Sequence, residues 1–389
     1  MINLVSFGWI VSILLLFLYS FTQIDLGLTL TRVSWWQGIQ KNFQLIGYFN
    51  RPLSTDLYLA ILFLLFTFYF LLLFWCKRNR FTSREIWLLI LLTAGLLWFS
   101  YNAFSYDLFN YIFDARIITY YQQSPYGHKA LDFSGDPMLG FMHWTHRYYP
   151  YGPLWLAITV PLSFLGFHKL IPTMILFKGL GVIGYLGSSW FIYKILSKTN
   201  PSKKLFGLTF YAFNPLIIIE SLVSGHNDIL MMMVALGGFW FLLKKKYLLA
   251  WLMLGLSVGI KFATAVLIPV FIFVIWLNWQ KRKIDWEKIW LISFFFMVVA
   301  LLAAIKRTEV QPWYLLYILP FVSLVSEKPI FFWPAISLSL GLLLHYAPFL
   351  YLGNWDPPVP TIKIWLTVGF FALGLIGGLI IKNEKKTVF

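Results

Sequence analysis

Apolar runs follow one another down this chain, and each ends in a basic cluster or a polar turn. Leu4–Tyr19, Leu57–Trp75, Ile86–Tyr101, Leu154–Phe167, Leu170–Leu196 and Phe206–Val223 come first. Ile229–Leu243, Tyr247–Gly259, Ala263–Leu277, Ile289–Ile305, Leu315–Val325, Ile330–Leu352 and Ile362–Ile381 follow. A helix needs ~20 apolar residues to cross a hydrocarbon core of ~30 Å. Inside that core every backbone N–H and C=O must pair within the protein, which these runs achieve as helices. A soluble domain could not bury side chains that are 60% hydrophobic with a mean hydropathy of +0.74. The expectation is an all-α polytopic membrane protein, one integral-membrane unit over residues 1–389, with about 11–13 transmembrane helices.

The basic clusters orient it. Lys77, Arg78, Arg80 and Arg84, then Lys198–Lys204, Lys244–Lys246, Lys281–Lys283 and the tail Lys382, Lys385 and Lys386 mark the cytoplasm by the positive-inside rule. The intervening turns then face outward. Thr22–Thr55, with Trp35 and Trp36 among Arg32, Lys41 and Arg51, reads as a segment lying in the headgroups. Between residues 151 and 205 the parity conflicts, because two crossings from outside would end outside. Either Leu154–Phe167 is re-entrant, or Leu170–Leu196 breaks near Gly179–Gly184. Runs in the core 205–280 are short for a bilayer, so an outer site would be sunk into the membrane, with the C-terminal helices 287–382 beyond. Lys plus Arg number 31 against 15 Asp plus Glu, for a net charge of +16. In this setting that excess points to basic loops and lipid phosphates, with no call for nucleic acid. No glycine-rich phosphate loop is present, and no polar segment is long enough for a nucleotide-binding domain. Cys76 is the lone cysteine, so no intrachain disulfide forms. Met1–Tyr19 lacks a basic n-region and a small-residue cleavage site, and reads as a retained first span.

One loop breaks the pattern. Ser105–Pro153, within an outer loop taken as 102–153, holds four aspartates, three histidines, two arginines and a lysine. So many ionisable groups beside hydrocarbon need a chemical reason. Asp107 and Asp114 lie roughly two helical turns apart, with Asn110 and Tyr111 on the same face if the segment is helical. That stripe suits general-base work on a hydroxyl, or else an amphipathic helix at the interface. His226-Asn227-Asp228, with Glu220 before it, either orients a phosphate or a catalytic carboxylate, or caps a helix. Lys261, after Gly255-Leu256-Ser257, either holds a lipid phosphate or anchors a helix end. Lys306 and Arg307 stand on the outer side, against the positive-inside tendency, and are placed for a phosphate. Trp313 and Tyr314 are interfacial belt residues or a sugar-stacking pair. His143, His146 and His226 offer no compact third ligand, so no metal is expected.

The order of these blocks carries a resemblance. Asp107, Tyr111, Asp114 and Arg116, then Pro125-Tyr126 and Tyr149-Pro150-Tyr151-Gly152-Pro153, resemble the first outer loop of the GT-C superfamily. More closely, they are similar to bacterial and archaeal mannosyltransferases that use polyprenyl-phosphate-mannose. Asn214-Pro215 with Glu220 and His226-Asn227-Asp228, then Lys261, then Gln311-Pro312-Trp313-Tyr314 with Pro320, extend the likeness. Ser124 stands where that family usually has Asn, and Tyr151 where it often has Pro.

The resemblance implies a GT-C-type bundle with an extracytoplasmic catalytic loop in the plasma membrane. It implies transfer of a sugar, mannose, from a polyprenyl-phosphate donor to a hydroxyl of a lipid or glycan acceptor, with inversion. Asp107 would be the general base, with Asp114 as its catalytic neighbour supporting the geometry. Arg116 would pair with a carboxylate or phosphate. Lys261, Lys306, Arg307 and His226 would meet the leaving phosphate, and Tyr111, Tyr126, His146, Tyr149, Glu220, Asp228, Trp313 and Tyr314 would complete the substrate-binding set. No cofactor is called for. A flippase or transporter of lipid-linked sugars is the rival reading; it would show halves related by an internal repeat, and none is visible.

Overall fold

The computed structural model describes residues 2–387, with side chains from 4 to 382, and the described residues form helices and no strand. In chain order they are α1 (Ile2–Ser20), α2 (Ser34–Gln44), α3 (Arg51–Lys77), α4 (Ser83–Trp98), α5 (Asp107–Thr119), α6 (Pro153–Leu165), α7 (Leu170–Thr199), α8 (Lys204–Ala212) and α9 (Pro215–Ile218). Then come α10 (Asp228–Leu243), α11 (Tyr247–Ile260), α12 (Ile268–Trp279), α13 (Trp286–Arg307), α14 (Leu319–Leu324), α15 (Pro329–Leu343), α16 (Tyr346–Leu352) and α17 (Val359–Thr387). Seven helical stretches are long and apolar enough to cross a membrane: Leu4–Gln23, Arg51–Lys77, Leu170–Thr199, Phe262–Trp279, Trp286–Arg307, Pro329–Leu352 and Val359–Lys382. An eighth is bent by 55° between Pro201–Ala212 and Pro215–Val223, and α6, α10 and α11 are shorter apolar helices. The chain is therefore a polytopic all-α membrane protein, with the expected helices split between long spans and short core elements.

The parity conflict resolves in the pairing of α5 with α6. The Tyr111 ring meets Trp155 at 5.2 Å. Eight residues further along both helices, Thr119 Oγ1 lies 3.0 Å from Ser163 Oγ. The two helices therefore run parallel. At 13 residues, α6 is about 20 Å long, too short to cross. It finishes near His168, whose carbonyl receives a hydrogen bond from Arg116 Nη1 of α5. The crossing is made by α7 alone, 30 residues without a break at Gly179–Gly184. It runs antiparallel to α4: Trp98 Nε1 donates to Ile175 O at 2.8 Å, and Ser83 Oγ lies 3.4 Å from Tyr193 Oη.

Part of the first loop folds as α2. On α2 two glutamines turn inward, Gln40 Nε2 donating to Leu28 O at 2.7 Å and Gln44 Nε2 to Asp25 O at 3.0 Å, while Lys41 and Asn42 stay exposed. Trp35 and Ile39 are left on the outside.

The 55° bend follows from Asn214-Pro215. Proline supplies no N–H and its ring displaces the preceding turn, which frees carbonyls in a region without water. Two buried tyrosines answer them: Tyr69 Oη donates to Phe210 O and Tyr185 Oη to Ala212 O, both at 2.8 Å. Asn214 Oδ1 caps the new helix by accepting from Leu216 N at 2.9 Å. After α9 the chain widens into a π turn over Ile219–Val223, where Ser224 N donates to Ile219 O at 2.8 Å. Such turns rotate side chains off the α register and recur at functional sites. This one carries Glu220.

Candidate active site

Asp107 is the first residue of α5, where unpaired N–H groups and the helix dipole favour a carboxylate. Its own amide donates to Ser105 Oγ at 3.2 Å. The carboxylate faces His226: Oδ2 lies 3.5 Å from Nδ1. The other ring nitrogen, Nε2, lies 3.2 Å from Glu220 Oε2. His226 and Glu220 are wholly buried, whereas the Asp107 side chain is 17% exposed. Glu220 has a second partner, the Tyr346 hydroxyl of α16, which donates to Oε1 at 3.0 Å. Trp313 lies flat on the imidazole, with centroids 4.2 Å apart and planes 20° apart. Burial alone would lower the His226 pKa, but its two carboxylate neighbours win and raise it to about 9. The ring is thus an imidazolium at neutral pH, set between two carboxyl groups and covered by an indole face that also favours a cation.

A second ion pair flanks this row. Lys261 Nζ donates to Asp228 Oδ1 at 2.7 Å, with Asp228 buried and Lys261 22% exposed. Asp228 Oδ2 and both amide atoms of Asn227 are buried without a partner. Asn227 is the N-cap of α10, yet its side chain makes no capping bond. Lys261 is held through the two residues before it. Gly152 N donates to Ile260 O at 3.0 Å, and a side chain at Gly152 would collide with the Gly259 carbonyl. The end of the long loop is thereby pinned beside the ammonium. Aromatic rings fill the space around both pairs. Tyr111 meets Tyr151 edge-on at 5.0 Å, and Tyr149 donates from Oη to Gly152 O at 2.9 Å. The charges of Asp107 and Asp228 both act on Tyr111, Tyr151 and Tyr314, whose phenols burial has already pushed up.

Asp114 follows Asp107 on α5, as the helical spacing requires. Burial first, and then the Asp107 charge, raise its carboxyl from 3.8 to about 8. At neutral pH Asp114 therefore holds its proton.

The remaining candidates are spread over the same end of the bundle. Arg116 is latched to Asp136, Nε to Oδ2 at 2.6 Å, and stacks on Tyr120. It fastens the loop rather than facing His226. Tyr126 is exposed and edge-on to Tyr149, and His146 is exposed. Lys306 and Arg307 close α13 as exposed residues with no ion pair among the described residues. Tyr314 binds Thr308, Oη to Oγ1 at 2.9 Å. Among the described residues no group of three metal-ligating side chains converges.

Two contributors escaped sequence reasoning. Tyr346 lies inside an apolar run and gave no signal. Lys178 did give one, a lysine in mid-span. Its buried Nζ donates to Ser100 O and Ser100 Oγ, both at 2.6 Å, and to Val223 O at 3.4 Å. It thus ties the segment leading to Asp107 to the π turn that carries Glu220.

A family model described as alpha-(1->6)-mannopyranosyltransferase, N-terminal domain, matches residues 10–278. That stretch holds Asp107, Asp114, Glu220, His226, Asp228 and Lys261, and stops before Trp313 and Tyr346. Alpha-(1->6)-mannopyranosyltransferase A of Corynebacterium glutamicum is 26% identical over 155 residues, 40% of this chain and 31% of that relative. The aligned part is thus under a third of the relative's length. No solved structure matches the chain. With more than half its residues matched and an all-α membrane bundle, this chain belongs to the alpha-(1->6)-mannopyranosyltransferase family.

Proposed function

We propose that the chain is a membrane mannosyltransferase that moves mannose from a polyprenyl-phosphate donor to a hydroxyl of a lipid or glycan acceptor. One observation carries the reading. Asp107 is the exposed end of a row whose other members, His226 and Glu220, are buried. A group poised to take a proton from an incoming substrate needs that placement. Its partners need only orient it.

In this reading Asp107 withdraws the acceptor proton as the hydroxyl oxygen attacks the anomeric carbon. The bond from that carbon to the phosphate oxygen breaks on the opposite face. The sugar is inverted, the proton stays on Asp107, and polyprenyl phosphate leaves with the bonding pair. No enzyme nucleophile is used. The His226 imidazolium steadies the Asp107 carboxylate while leaving it one oxygen free. Lys261 spends one N–H on Asp228 and keeps two for the phosphate charge that develops, in the manner of other preorganised cation sites. Positioning supplies much of the acceleration, since a carboxylate is a weak base toward an alcohol until the transition state acidifies it.

The extracytoplasmic placement is supported by charge. Lys198 donates to Leu243 O, Lys203 meets Glu327, and Lys77 and Arg78 close α3, all at the end away from Asp107. By the positive-inside rule that end is cytoplasmic, and nucleotide sugars would not reach the other.

The test is transfer of labelled mannose from polyprenyl-phosphate-mannose into a lipid extract by the purified chain. Asp107→Asn lowers kcat by about 10²–10⁴-fold, the usual worth of a general base, with KM for the donor little changed. Transfer at wild-type rate by that variant removes Asp107 from the mechanism. Label that crosses the bilayer unchanged moves the protein to the flippase class.

A further inference from the structure

At the end of the bundle opposite Asp107, three chain connections surround a cavity of about 520 Å³. They are the α7–α8 junction, the entry to α13 and the α14–α15 turn. Its volume lies in the range of small-molecule sites, which span about 300–1,000 Å³. The stacked rings of Trp286 and Trp290, with centroids 5.2 Å apart, form one wall, and Leu324 and Val325 are buried behind it.

The charges are unevenly matched. Three carboxylates line the cavity, and each is already engaged. Glu287 pairs with Lys328. Glu327 pairs with Lys203 at 3.6 Å and accepts from Asn200 Nδ2 at 3.1 Å. Asp285 caps α13 through Lys288 N at 3.3 Å and meets the Lys288 ammonium at 3.6 Å. Two lysines on the same lining have no carboxylate among the described residues. Lys198 meets only the Leu243 carbonyl, at 3.3 Å, and Lys283 has no ion pair. The cavity therefore presents two uncommitted ammonium groups beside an indole wall, next to the spans α7, α13 and α15. Tryptophan and lysine together at this depth are the interfacial combination, and basic pockets between spans take phosphate headgroups.

We infer that this cavity binds the phosphate of an anionic phospholipid headgroup from the leaflet at the basic end, through Lys198 and Lys283, with Trp286 and Trp290 against its glycerol and upper acyl carbons. The site is separate from Asp107, so it neither needs nor supports the transfer reaction.

The test uses the full chain, wild type and Lys198→Gln/Lys283→Gln, in nanodiscs whose lipids mix phosphatidylglycerol with phosphatidylcholine. Lipid retained after detergent extraction is counted by native mass spectrometry. The wild type keeps a phosphatidylglycerol molecule that the double variant holds about thirtyfold more weakly, at about fivefold per lysine. Phosphatidylcholine retention is the same for both, as are the melting temperatures in pure phosphatidylcholine, which shows the variant folded. Added inorganic phosphate that fails to displace the lipid confirms the headgroup as the ligand. Displacement would assign the cavity to free phosphate and overturn the lipid. Equal phosphatidylglycerol retention by the two chains overturns the site altogether.

Discussion

Asp107 and Asp114 are two carboxyls on one helix in different surroundings. Their surroundings differ because α5 begins at Asp107, beside free N–H groups that favour a carboxylate, and sets Asp114 further along, where desolvation raises its carboxyl. A pKa raised from 3.8 to about 8 has a consequence for stability. The folded chain binds this proton more tightly than the unfolded chain does. The stabilisation it gives is complete below about 3.8 and fades as the pH climbs to about 8. Asp114→Asn imitates the protonated carboxyl and removes the titration. The variant's melting temperature is therefore expected to fall less than the wild type's between those two values. Thermal unfolding followed by intrinsic fluorescence across that range checks it, and parallel curves would place Asp114 in a more hydrated setting. The helical spacing of Asp107, Asn110, Tyr111 and Asp114 was legible in the sequence. The raised carboxyl of Asp114 was not, because it depends on burial beside Tyr149 and Tyr151, from a loop some forty residues on.

At the scale of elements, the site hangs on interruptions in helices rather than on helices. The Asn214-Pro215 break turns the eighth span, the π turn swings Glu220 inward, and Lys178 ties that turn to the end of α4. Lys178→Met would leave the Ser100 and Val223 carbonyls without a donor in a dry interior. The expected loss is about 1–3 kcal/mol for each carbonyl left unpaired, seen as a lower melting temperature in detergent. Lys178→Arg, which keeps a donor to both, is expected to recover part of it. A melting temperature for the methionine variant equal to wild type would mean that the two segments hold their places without the lysine. The sequence marked Asn214-Pro215 and Glu220 as a block but gave no reason for their nearness. The reason is the bend. Conversely, Lys306 and Arg307 looked well placed for a phosphate and lie exposed on the last turn of α13. Distance along the sequence from Trp313 says little about which face of a helix end a side chain takes.

For the whole molecule, class and helix content were readable from hydropathy alone. What resisted was the stretch between 151 and 205, since periodicity does not distinguish an apolar helix that crosses from one that pairs with a neighbour at one end. Here α6 pairs with α5, so Phe167 belongs to the same side as the loop carrying His128. In a Cys76→Ser background, Phe167→Cys and His128→Cys are both expected to react with an impermeant maleimide added outside intact cells. Ser202→Cys is expected to react only after permeabilisation. Protection of Phe167→Cys in intact cells would restore α6 as a crossing.

Glu220 is anchored by Tyr346, and His226 is covered by Trp313, two residues that lie past the matched family segment. The carboxylates and the residues that hold them in register therefore come from different parts of the chain. A chimera that joined residues 1–278 to the last third of another membrane protein would keep every charged group of the row and lose the two contacts that aim it. Exchange between relatives would then be tolerated only where the incoming piece brings an indole and a phenol to the same two places, a constraint on inheritance that no single residue of the matched segment reveals.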